Sequence, residues 1–324
     1  MNIECLFCGL CLDSCPYEII DEKYSLRGRI SLIKEIKSTS YSKDILKYIL
    51  NCVFCNRCLG NCPIKIDIKA ILRNLYEEDE KIKEAITKYV NSYIEYPSNI
   101  EKSDILLIIN KYYSPLNSKQ YKSIINLLDG IGRVTIHEFS DPLHMRYAYN
   151  IKLEAFEKMI SKLNQISNDI KVIISLDEYT SYFIPLLNNQ LKFKMYSITE
   201  YLSNLLKDGV IIINRDISSK AILANPIIKH VEDKVIKDIK YVLNFLPSIV
   251  ISKLTVLPDL PNVLHELSEE LALYETILKN MNQDFHILIS SSPYLISKIG
   301  KVASKLVFIP VYLPSLISQI SILL

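Results

Sequence analysis

Cys5-Leu6-Phe7-Cys8-Gly9-Leu10-Cys11-Leu12-Asp13-Ser14-Cys15-Pro16 and Cys52-Val53-Phe54-Cys55-Asn56-Arg57-Cys58-Leu59-Gly60-Asn61-Cys62-Pro63 are two copies of one motif, C-x-x-C-x-x-C-x-x-x-C-P. They hold all eight cysteines of the 324-residue chain. Three thiolates spaced three apart can wrap three corners of an iron-sulfur cubane while the fourth points away, and in two-cluster ferredoxins that fourth thiolate ligates the other cluster. The motif therefore predicts two 4Fe-4S clusters with crossed ligand sets. Cys5, Cys8, Cys11 and Cys62 are expected to hold the first, and Cys52, Cys55, Cys58 and Cys15 the second. Pro16 and Pro63 stop the local helix and aim the fourth thiolate across. The competing readings fit less well. A disulfide framework suits a small secreted chain, and zinc sites usually show paired knuckles or histidine ligands, whereas His137, His144, His230, His265 and His286 all lie outside this region.

The rest of the composition narrows the class. Hydrophobic residues make up 49% and charged residues 23%, which excludes a wholly disordered chain. Only seven glycines occur, and neither G-x-G-x-x-G nor G-x-x-x-x-G-K-[ST] is present, so a nucleotide held in either standard loop is not expected. A formal net charge of +2 argues against nucleic acid as the main partner. No charged n-region with an apolar h-region precedes Cys5, so the expectation is a cytoplasmic protein, with peripheral membrane association left open.

Between Cys15 and Cys52, Ile30, Ile33 and Ile36 and then Ile45, Leu46, Ile49 and Leu50 recur at helical spacing, and Ile64 to Tyr76 continues similarly. The cluster module is therefore expected to be an α-helical ferredoxin. Within the linker, Arg27-Gly28-Arg29 reads as a turn opening a helix. Its two guanidiniums could also offset the negative charge of the clusters. Glu77-Glu78-Asp79-Glu80 reads as a solvated helix face.

Two cysteine motifs bracketing an Arg27-Gly28-Arg29-Ile30 segment resemble the iron-sulfur subunit of glycolate oxidase and the related lactate-utilisation and heterodisulfide-reductase-like proteins. The resemblance covers residues 1 to about 76, with Leu26 where that family typically has proline. It implies clusters that relay electrons from an FAD-containing flavoprotein dehydrogenase subunit to a quinone or another acceptor, with a further redox or membrane subunit as a second partner. The family continues with two cysteine-rich CCG domains. Here the positions matching their C-x-x-C pairs are Asp177 and Thr180, and Ser292 and Leu295; the paired cysteines before a proline fall near Ser140-Asp141-Pro142, and the proline-cysteine near Pro226-Ile227. The thiolates are gone. Asp177, Ser140 and Asp141 read as polar turn residues rather than ligands for a hard cation.

The CCG duplication survives as an internal repeat. Displacing the chain by 115 residues aligns Glu154 with Glu269, Asp169 with Asp284, Ser175 with Ser290, Tyr179 with Tyr294, Ile184 with Ile299, Leu191 with Leu306 and Phe193 with Phe308. Short apolar runs at Ile105–Ile109, Val134–Ile136, Val172–Ile174 and Phe193–Tyr196 alternate with helical periodicity, notably Ala148–Ile166. The fold class expected is α/β: an N-terminal α-helical ferredoxin module and two pseudo-symmetric parallel-sheet α/β repeats. Boundaries near Tyr96–Asn99 and Asn214–Ser219 give domains 1–97, 98–215 and 216–324. The uncharged run Leu306–Leu324 is interrupted by Pro310 and Pro314 and reads as a buried strand and a short helix, not a membrane span.

No nucleophile-base constellation and no flavin or nicotinamide fingerprint accompanies the clusters, so the expected role is an electron-transfer subunit of an oxidoreductase without its own substrate site. The alternative is a non-catalytic assembly or scaffold subunit of a heterodisulfide-reductase-like or related redox complex.

Overall fold

The computed structural model describes residues 5–18, 21–38, 48–49, 51–96, 100–115, 118–188, 190–214, 217–256, 274, 287–302 and 309–323. Ile45, Leu46 and Leu50 of the linker, the boundary residues 97–99 and 215–216, and the repeat positions Glu269, Asp284, Leu306 and Phe308 lie outside them.

The N-terminal region is helical. α1 (Leu26–Ser38) opens where Ser25 Oγ accepts from the Gly28 N–H at 3.1 Å, and it buries Leu26, Ile30 and Ile33. α2 (Arg57–Asn61) is a short turn of helix inside the second cysteine motif. α3 (Ile68–Glu78) starts at Asp67, whose side chain accepts from the Lys69 and Ala70 N–H groups, later than the periodicity from Ile64 suggested. α4 (Glu80–Ser92) starts at Asp79 in the same way. In the acidic run, then, Glu77, Glu78 and Glu80 are exposed, whereas Asp79 caps a helix and divides α3 from α4. These helices share one core with Cys11, Cys52 and Cys62, and Met145, Ala148 and Tyr149 of the next segment complete it.

Two α/β repeats follow. The first contains β1 (Ile105–Asn110), α5 (Ser118–Asp129), β2 (Val134–Phe139), α6 (Leu143–Tyr149), α7 (Glu154–Ile166), β3 (Val172–Ser175), α8 (Glu178–Leu187), β4 (Met195–Ser197), α9 (Ile198–Lys207) and β5 (Ile211–Ile213). The second contains β6 (Ser219–Asn225), α10 (Lys229–Leu243), β7 (Ile249–Val256), β8 (Ile287–Ser290), α11 (Pro293–Val302), β9 (Ile309–Tyr312), α12 (Leu313–Ile320) and β10 (Ser321–Leu323). Each has a four-stranded parallel sheet, ordered β2-β1-β3-β4 and β7-β6-β8-β9. The 115-residue displacement maps β3 onto β8 and α8 onto α11 end to end, and carries Asn110 at the end of β1 to Asn225 at the end of β6. β1 is buried at all six positions, as a strand covered on both faces must be.

Two details depart from the sequence reading. The helix expected over Ala148–Ile166 is two helices, because Asn150 adopts a left-handed conformation (φ 55°) and its N–H closes α6 on the Arg146 carbonyl. The C-terminal strand and short helix are followed by β10, which pairs antiparallel with β5 and so stitches the repeats together. Ser318 adds a hydrogen bond to Ser123, 2.9 Å, across the same seam. Among the described residues no helix is long and apolar enough to cross a membrane.

Candidate iron-sulfur centres

The two cysteine loops are wound alike. Phe7 and Phe54, each just before the second cysteine of its motif, have φ of 51° and 53°. Gly9 and Asn56, each just after that cysteine, have φ of 81° and 59°. Left-handed backbone is unfavourable at phenylalanine and persists only where the surroundings over-determine it, which is characteristic of functional loops. The effect is to curl each loop around its own thiols.

The eight cysteines are all free, and they face two cavities. Cys5, Cys8, Cys11 and Cys62 line one of about 310 Å³, together with Arg27 and Pro63. Cys15, Cys52, Cys55 and Cys58 line another of about 360 Å³, together with Arg29 and Pro16. Each motif thus sends its fourth cysteine to the other motif's cavity. The Phe7 N–H points to Cys5 Sγ and the Ile66 N–H to Cys62 Sγ, both at 3.4 Å. No three Cys, His, Asp or Glu side chains among the described residues converge on a point where a single ion would sit. The thiols surround space instead.

The donor set suits an iron-sulfur cluster. Burial pushes the Cys11, Cys52 and Cys58 thiols up, and the Cys55 thiol up to about 12, with neighbouring thiols of the same set adding to the effect. Four thiols are therefore held together that cannot all ionise unless a positive group enters among them. Arg29 is already at the second set. Its Nε donates to the Tyr48 carbonyl at 2.8 Å, while Nη2 is buried without a hydrogen-bond partner. Burial pulls the Arg29 pKa down, but the nearby Cys52, Cys15 and Cys58 outweigh it and hold the guanidinium charged. Arg27 serves the first set: its Nε donates to Glu22 at 2.9 Å, and its Nη1 reaches the Phe7 carbonyl at 3.4 Å. The turn Arg27-Gly28-Arg29 thus supplies one guanidinium to each cavity. The glycine between them is required, since a Cβ there would lie 2.5 Å from the Glu22 carbonyl oxygen and from Lys23 Cα.

The two cavities differ in setting. The first opens at the surface, where Cys8 is exposed and Leu6 and Phe7 are 63% and 45% exposed. The second is backed by both repeats. Arg57 donates to the Ile227 carbonyl at 2.8 Å, the Pro226 carbonyl at 3.0 Å and Glu232 Oε2 at 2.9 Å. The Lys229 N–H, at the start of α10, donates to the Cys55 carbonyl at 3.1 Å. On the other side Arg73 of α3 donates to the Ala148 and Tyr147 carbonyls, at 2.9 and 3.1 Å.

The repeat positions at which the resemblance places cysteines have structural duties. Asp177 caps α8 by accepting from the Thr180 N–H at 2.7 Å, and Ser292 caps α11 by accepting from the Leu295 N–H at 3.3 Å. Asp141 is fully buried, bound by Arg146 Nη1 at 2.6 Å and by the Tyr96 hydroxyl. Asn110 receives the Asp141 N–H and donates to its carbonyl. The sequence reading gave no sign of Tyr48, Arg57 or Lys229 as supports of the cysteine loops. Their contacts span 19 to 175 positions and leave no periodic trace.

Residues 4–66 match the family described as a 4Fe-4S dicluster domain. The N-terminal region is therefore ferredoxin-like, with 4Fe-4S clusters as its cofactors and iron-sulfur electron transfer as its chemistry. No curated protein matches the chain. Solved structures similar to it include aspartate racemase from Picrophilus torridus (12% identity, 66% of this chain and 91% of that one, TM-score 0.33). Allantoin racemase from Klebsiella pneumoniae is another (10% identity, 67% and 85%, TM-score 0.32). So is a Caulobacter myo-inositol binding protein bound to myo-inositol (10% identity, 62% and 69%, TM-score 0.25). Similarity at this level carries no argument about function.

Proposed function

We propose that this chain is the electron-relay subunit of an oxidoreductase, standing between a flavoprotein dehydrogenase of the 2-hydroxy-acid oxidase type and a quinone or other acceptor. Cys5, Cys8, Cys11 and Cys62 hold one 4Fe-4S cluster, and Cys52, Cys55, Cys58 and Cys15 the other. Each cluster, when bound, supplies a one-electron carrier. The protein's part is to fix the thiolates, to set the local charge through Arg27 and Arg29, and to keep the second set away from solvent. The observation that carries the reading is the sorting of eight thiols into two cavities, four to each, with one arginine at each.

The partner assignment rests on the resemblance of residues 1–76 to glycolate-oxidase-type iron-sulfur subunits. The degenerate repeats then serve as the body that docks the flavoprotein. Cys15→Ser and Cys62→Ser test the ligand sets: the first should disturb the cluster of the second motif, the second that of the first motif, as read by iron content and the electron paramagnetic resonance of the reduced protein. Loss of the same-motif cluster in each case would overturn the crossed assignment. Copurification of the native complex tests the partner. A complex in which substrate reduces the flavin but never the clusters would leave the chain a scaffold.

A further inference from the structure

A third cavity, of about 490 Å³, lies where the cluster module meets both repeats. Phe54 and Asn56, which belong to the second cysteine loop, line both this cavity and that of the second thiol set. One wall is aromatic: the Phe183 ring lies 5.7 Å from that of Tyr147 and 5.2 Å from that of Tyr182. The remaining walls present nitrogen donors, and no carboxylate lines the space.

The donors can be assigned one by one. His144 is 2% exposed. Its backbone N–H donates to the Tyr113 hydroxyl at 2.9 Å, and that hydroxyl lies 2.8 Å from His144 Nδ1. We assign the tautomer in which the Tyr113 hydroxyl accepts from the backbone N–H and gives its single proton to Nδ1, which leaves the ring proton on Nε2. Burial holds the imidazole neutral, with its pKa lowered to about 3. Nδ1 is turned to Tyr113, so Nε2–H is the polar atom that His144 offers the cavity, and it has no partner among the described residues. Lys69 adds a positive charge. Its Nζ stands 4.8 Å over the Tyr147 ring and pairs with no carboxylate among the described residues. At the exposed edge, Asn56 Nδ2 lies 3.1 Å from His230 Nε2 and donates to it, which places the ring proton of His230 on Nδ1.

We propose that this cavity binds a small planar organic anion, an aromatic or conjugated carboxylate, with its oxygens between Lys69 Nζ and His144 Nε2–H and its flat body against Tyr147, Phe183 and Tyr182. Few, convergent polar groups beside an aromatic wall are the usual form of a small-molecule site. The site is separate from the thiols and does not depend on the relay reading, although a ligand there would sit against Phe54, one residue from Cys55.

Isothermal titration of the cluster-loaded protein with benzoate, and with benzamide as its neutral analogue, is the test. Benzoate should bind one per chain, at least about tenfold more tightly than benzamide. Lys69→Met, on a partly exposed helix face, should weaken benzoate by about tenfold or more. His144→Leu should do likewise, with His144→Gln restoring much of the affinity by offering an N–H in its place. Lys34→Met, at the first cysteine loop, should change nothing. Absence of saturable benzoate binding at millimolar concentration, equal binding of benzamide, or full affinity in Lys69→Met would each overturn the proposal.

Discussion

Arg57 of the second cysteine loop lies 2.9 Å from Glu232 of the second repeat, with both side chains mostly buried. The pair joins segments 175 residues apart, and Arg57 also donates to the Pro226 and Ile227 carbonyls. Burial tends to raise the Glu232 carboxyl, but Arg57 and Lys229 hold it below its ordinary value. Arg57→Ala should therefore loosen the second repeat from the cysteine loop at a cost of about 2–3 kcal/mol. Chemical denaturation would read the loss, and faster hydrogen exchange at the start of α10 would locate it. Because the Glu232 pKa is depressed, its share of this stability is present at neutral pH and lost as pH falls through the folded value.

Arg27 and Arg29 should act on different clusters. Removing positive charge beside a group that gains an electron disfavours the reduced form and lowers its potential. Arg27→Met should lower only the potential of the cluster proposed for Cys5, Cys8, Cys11 and Cys62, and Arg29→Met only that of the other. A redox titration followed by electron paramagnetic resonance separates them; equal shifts in both clusters would contradict the arrangement.

Gly28→Ala should be destabilising out of proportion to its size. The added methyl meets Glu22 and Lys23 backbone at 2.5 Å, so α1 or the turn before it must move. A cost of about 1–3 kcal/mol is expected, with the spectra of both clusters altered, since the residues on either side are the two arginines.

Glu178 should make the first repeat sensitive to pH in an unusual direction. It is buried, and burial raises its pKa to about 7 against the opposing pull of the Ser197 and Thr199 side chains beside it. The fold then holds the proton more tightly than the unfolded chain does, so stability is full below the unfolded value, near 4, and declines as pH rises to about 7. Glu178→Gln should remove the decline and stabilise the protein at about pH 8 by up to roughly 3 kcal/mol. Denaturant midpoints at slightly acid and slightly alkaline pH would show the wild-type slope and its absence in the variant.

The cysteine spacing and the short apolar runs at Ile105, Val134 and Val172 were legible because they are local: thiolates three apart, and β-branched or apolar runs of strand length. The duplication was legible through Ser175, Tyr179 and their partners 115 residues on, even without the cysteines of the resembling family. The left-handed Phe7 and Phe54 were not, since phenylalanine has no propensity for that backbone and only the loop as a whole imposes it. Nor was the break at Asn150, which sits inside an uninterrupted apolar periodicity. The cavity at His144 draws its walls from five separate stretches, around Phe54, Lys69, His144, Phe183 and His230, so no window of sequence contains it.

The unequal setting of the two thiol sets has a consequence for how the protein ages in air. Chelators and oxygen reach Cys8 and the opening beside Leu6 and Phe7 directly, whereas Cys52 and Cys55 lie behind Arg57, Lys229 and the ring of Tyr149. Iron would be stripped from one end first, leaving a half-loaded species with its inner cofactor intact, and repair would have to start at that same outer end.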